Sequence, residues 1–64
     1  MKLKEGMIVM LKNKVGKHKK GSVIRILYII GMTAFCENTL NGEKLVISRE
    51  SDEVEDLNEG VFYV

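Results

Sequence analysis

Apolar residues along this 64-residue chain come in short runs separated by polar, glycine-marked segments. Met7-Ile8-Val9-Met10-Leu11 follows Gly6 and precedes Lys12 to Lys20, a stretch that is polar apart from Val15 and Gly16. That pattern predicts a strand and then an exposed loop. Gly21 to Ile30 is rich in β-branched residues and stops at Gly31, which predicts a long second strand. Its apolar residues occupy both parities, so this strand is expected to bend, through a bulge, and to serve two parts of the sheet.

Asn41-Gly42 predicts a two-residue type I′ hairpin, whose central residues both need φ > 0. Counting outward from that turn sets Asn38 opposite Leu45, Cys36 opposite Ile47 and Ala34 opposite Arg49. One side of the ribbon then collects Ala34, Cys36, Leu45 and Ile47 and is expected to pack on the core. The other side is polar except for Phe35 and Val46. Ser51 to Leu57 opens with a capping residue and early acids, and predicts a single 3₁₀ or α turn. Val61-Phe62-Tyr63-Val64, after Gly60, predicts a last strand. The expected fold is therefore all-β: a small five-stranded barrel with one short helical turn before the final strand, in one domain spanning residues 1–64.

Several segments are similar to those of SH3-like barrels, and in particular of the KOW-type domains of ribosomal proteins and transcription elongation factors. They are Gly6 before the first strand, the basic loop Val15-Gly16-Lys17-His18-Lys19-Lys20, and Gly21-Ser22-Val23-Ile24-Arg25-Ile26 at the entry to the second. The resemblance runs from Gly6 to Leu57. It implies an SH3-like barrel whose basic loop contacts RNA.

Charge sharpens this picture. The formal net charge is +1, yet residues 1–25 carry eight cations against Glu5, a net of +7, and residues 26–64 carry two cations against eight carboxylates, a net of −6. The division predicts a dipolar domain with a cationic pole. Lys12, Lys14, Lys17, Lys19, Lys20 and Arg25 are the candidate phosphate contacts, with His18 supplementary. Lysines would supply affinity and orientation with little sequence discrimination. The same loop could equally be solvated surface that keeps the domain in solution. Tyr28 and Phe35 are candidate stacking contacts. The expected partner is nucleic acid, RNA before DNA, or a ribonucleoprotein assembly. The alternative partner is a protein, met through a charged pole or through the apolar patch near Phe35 and Val46.

The sequence holds no grouping that supports catalysis, a cofactor or a metal site. His18 is the only histidine, and Cys36, the only cysteine, is expected to be a small buried hydrophobe. The carboxylates from Glu50 to Asp56 lack calcium-loop spacing and are expected to form an acidic surface. The N-terminal residues lack a signal-peptide pattern, and an apolar run such as Ile26 to Ile30 is far below the ~20 residues of a membrane span. A reducing cytoplasm is the expected compartment, and pairing of copies through Val61 to Val64 is a third route to assembly.

Overall fold

The structure is a computed structural model and describes residues 2–57. Five antiparallel strands make one open sheet: β1 (Ile8–Leu11), β2 (Val23–Ile30), β3 (Thr33–Asn38), β4 (Lys44–Ser48) and β5 (Val54–Asp56), in the order β4-β3-β2-β1-β5. The chain runs as a meander through β4, then returns β5 to the free side of β1. The all-β expectation holds, with no helix among the described residues.

The fifth strand is not where the sequence placed it. Val54–Asp56, expected within a helical turn, pairs with Leu11 to Val9, and residues 49–53 make turns and bends only. The physical reason is a non-local one. Val54 is 1% exposed opposite the buried Leu11, and β1 offers an unpaired edge that three extended residues satisfy better than an isolated helical turn could. The strand expected at Val61 to Val64 lies outside the described residues.

β2 contains the expected bulge. Ile26 pairs with Cys36 but Tyr28 pairs with Phe35, so Leu27 is the extra residue. Ile24 and Ile26 face the core before it; after it Ile29 faces inward, paired with Ala34, while Tyr28 and Ile30 face out. The mixed parity of this run is the sequence imprint of that switch.

The β3–β4 turn departs from the expectation by two residues. Ala34 pairs with Ile47, Phe35 with Val46 and Cys36 with Leu45, leaving a four-residue loop from Thr39 to Gly42. Only Gly42 has positive φ (76°), whereas type I′ would force Asn41 there as well. Side chains of the two asparagines replace that turn. Asn38 Oδ1 accepts from Leu40 N–H at 2.9 Å, Asn41 Oδ1 accepts from Glu43 N–H at 2.9 Å, and Gly42 N–H donates to Asn38 O at 2.8 Å. A slip of two residues keeps every side chain on its own face. Ala34, Cys36, Leu45 and Ile47 therefore still face the core, as the alternation predicts.

That core consists of Leu3, Val9, Leu11, Ile24, Ile26, Ala34, Cys36, Leu45 and Val54. Leu3 comes from the arm before β1. Its N–H donates to Arg49 O at 2.8 Å, and its side chain is fully buried. Cys36 is 1% exposed, its Sγ–H donates to Ala34 O at 3.4 Å, and burial pushes the thiol up from the ordinary 9.0 to about 11.

The raised thiol has a definite consequence for stability. An acid whose folded pKa exceeds its unfolded one stabilises fully below the unfolded value and loses that contribution as pH climbs through the folded one. Unfolding free energy should therefore fall by about 2–3 kcal/mol between pH 9 and 11, relative to a Cys36→Ala chain. Parallel denaturation curves for the two chains across that window would refute the assignment.

Candidate nucleic-acid interface

The loop between β1 and β2 is closed at its base by Leu11, whose N–H donates to Ser22 O at 2.9 Å and whose O accepts from Gly21 N–H at 2.8 Å. Inside it the chain folds back on itself. Val15 and His18 exchange backbone hydrogen bonds at 3.0 and 2.8 Å around Gly16-Lys17. Gly16 has φ 58° and Lys17 does not have positive φ, the II′ arrangement in which glycine is needed at the first position. The basic loop is thus a small hairpin rather than an open coil.

Two side chains hold this hairpin to the body. Val15 packs half-buried against the core. His18 is 5% exposed, and its Nδ1 lies 3.1 Å from Nδ2 of Asn38, itself 4% exposed. Because Oδ1 of Asn38 is taken by Leu40 N–H, Nδ2 must be the group that faces the ring, and His18 Nδ1 accepts. This overturns the expectation of His18 as a surface contact: a buried imidazole matched by a buried amide is a structural pin. The sequence signal for it is Asn38, a polar residue on an otherwise apolar face.

The lysines divide by their neighbours. Lys12, Lys14, Lys17, Lys19 and Lys20 are all exposed. Lys17 Nζ sits 3.2 Å from Glu43 Oε2, and the backbone N–H of Lys12 donates to Glu53 O at 2.7 Å, with Asn13 Nδ2 on Glu53 Oε2 at 2.7 Å. Lys12, Lys14, Lys19 and Lys20 enter no ion pair among the described residues. They are the cations of the hairpin whose charge is not already matched. The charge division seen along the chain is partly undone in space, since β5 carries Glu55 and Asp56 alongside Met10 and Val9 of β1.

Arg25, Tyr28 and Phe35 do not join the hairpin. The hairpin is anchored to Asn38 on the core side of the sheet, while these three stand on the opposite face. Arg25 is aligned with Glu37, which holds Lys44 at 3.5 Å. Tyr28 and Phe35 stack with ring centroids 4.8 Å apart at 14°, and Val46 continues the row on β4. Beside the hairpin, Gly21, Ser22, Val23, Asn38, Thr39 and Leu40 line a surface groove of ≈ 350 Å³, with Leu40 90% exposed at its rim. No group of three or more His, Cys, Asp or Glu side chains able to hold a metal ion is found among the described residues. No helix among them is long and apolar enough to cross a membrane.

No protein-family model, curated protein or solved structure matches the chain.

If His18 is a pin, Asn38→Ala strands its ring nitrogen and frees Leu40 N–H. The substitution should cost about 1–3 kcal/mol in urea unfolding and speed amide exchange at Val15, His18 and Leu40. An unchanged midpoint with unchanged exchange would exclude the role.

Proposed function

We propose that this domain is a non-enzymatic binding module that associates with RNA, or with a ribonucleoprotein or transcription assembly, through the hairpin of its basic loop. One observation carries the proposal: Lys12, Lys14, Lys19 and Lys20 stand exposed, outside any ion pair among the described residues, on a loop whose hairpin is pinned at Val15 and His18. Ammonium groups presented on an ordered loop lose less freedom on binding than those of a floppy one, and each phosphate they neutralise releases counterions. The preference for RNA rests on the resemblance to KOW-type domains. The return of β5 to β1 after a four-strand meander supports an SH3-like barrel as the finer description of the fold. Such a module would work in the reducing cytoplasm, where the single thiol stays unpaired.

A protein partner is the second reading, and the exposed row of Tyr28, Phe35 and Val46 on the opposite face favours it. The two separate cleanly. Replacing Lys14, Lys19 and Lys20 together by glutamate should strongly weaken binding to a single-stranded RNA oligonucleotide, and the wild-type log–log salt slope should exceed that of the residual binding by about 2. Wild-type affinity that is the same in low and high salt would sink the proposal.

A further inference from the structure

Among the described residues β4 has β3 on one side and no strand on the other. Which of its backbone groups face that open edge follows from the ladder. Asn38 N–H donates to Glu43 O at 2.8 Å and Arg49 N–H to Met32 O at 2.7 Å, so with the observed register the bonded pairs fall at 43, 45, 47 and 49. Lys44, Val46 and Ser48 therefore turn their N–H and C=O groups outward. Among the described residues only one of these groups has a partner, Ser48 O, which accepts from Ser51 N–H at 3.0 Å and keeps a second lone pair.

The usual guards of a sheet edge are weak here. β4 contains no proline, glycine or bulge, and its one charge, Lys44, is drawn back by Glu37 Oε2 at 3.5 Å and by Gly42 O at 3.3 Å. Val46, at the centre of the strand, is 54% exposed.

We infer that β4 is a self-association edge, pairing antiparallel with β4 of a second copy of this chain about a two-fold axis through Val46. The strand is self-complementary about that point. Val46 would exchange both hydrogen bonds with Val46 of the second copy, and Lys44 would exchange with its Ser48, so each outward group meets a group of the opposite kind. No like charges oppose each other, because Lys44 faces Ser48 across the axis and never another Lys44. On the outer face the row Tyr28, Phe35, Val46 would run on into the same row of the second copy as one apolar strip; on the core side Leu45 would meet Ile47. An isologous contact of this kind closes at two subunits. It uses neither the basic hairpin nor its lysines, so it is independent of the proposed function.

Sedimentation of the full chain through a dilution series tests it, with amide exchange at Val46 followed in the same samples. The expected result is a mass rising from 7.3 kDa toward twice that value, with Val46 N–H protected only in the concentrated samples. Val46→Pro removes an outward donor that no bond among the described residues uses and should leave a folded monomer throughout. Val46→Lys, which brings two ammonium groups face to face at an exposed position, should do the same. A wild-type chain that stays monomeric overturns the inference; if Val46 N–H is protected even then, the chain covers its own edge. Dimers that survive both substitutions overturn it too, and place the contact on another surface.

Discussion

One extra residue, Leu27, is the constraint on which the rest of the structure depends. With strict alternation through β2, Tyr28 and Ile30 would follow Ile24 and Ile26 into the core, and Ile29 would face water. The bulge reverses the alternation after Ile26, so the strand gives Ile24, Ile26 and Ile29 to one interior and Tyr28 to the outer face beside Phe35. A bulge also bends the strand and raises its twist. For a chain this short that bend matters energetically. The nine buried side chains form one cluster, and both halves of β2 reach it, Ile24 and Ile26 before the bulge and Ile29 after it.

The interior has one polar corner, and it ties two loops together. Asn38 spends its carbonyl on Leu40 N–H and its amide on His18 Nδ1, so one side chain shapes the β3–β4 turn and anchors the basic hairpin. Thr39 adds to this by donating from both N–H and Oγ1 to Val23 O, each at 2.9 Å. Buried polar groups of this sort are strongly specifying, since any other arrangement leaves one of them without water and without a partner. The loop that bears the free lysines is therefore ordered from beneath, by groups that carry no charge to a ligand.

Around this frame the charges take up a mixed arrangement. Exposed pairs such as Lys17 with Glu43 are worth little in stability, about 0.2–1 kcal/mol each. Their effect is on the electrostatic surface: they remove Lys17 from the unmatched set and leave Lys12, Lys14, Lys19 and Lys20. Glu53 performs a related service at the base of the loop, holding Asn13. The aromatic stack lies on the far face from all of these. A ligand that needed both lysines and rings would have to pass around the edge of the sheet.

Periodicity by itself determined a good deal. The first four strands, the face of each side chain in the β3–β4 hairpin, the irregularity in β2 and the burial of Cys36 all follow from which residues are apolar and at what spacing, because alternation is a property of the local backbone. The sequence also marked the basic loop, and within it the lysines that remain candidates. Tertiary structure alone decided the rest: that Val54–Asp56 extends along β1, that Leu3 enters the core from the arm, that the hairpin slips by two residues, and that His18 turns inward to Asn38. Three of these depend on a partner distant in the chain, Leu11 for Val54, Arg49 for Leu3 and Asn38 for His18, while the slip rests on the side-chain bonds of Asn38 and Asn41 within the turn. A pattern read along one strand contains no information about which distant edge or polar atom is left over to be satisfied.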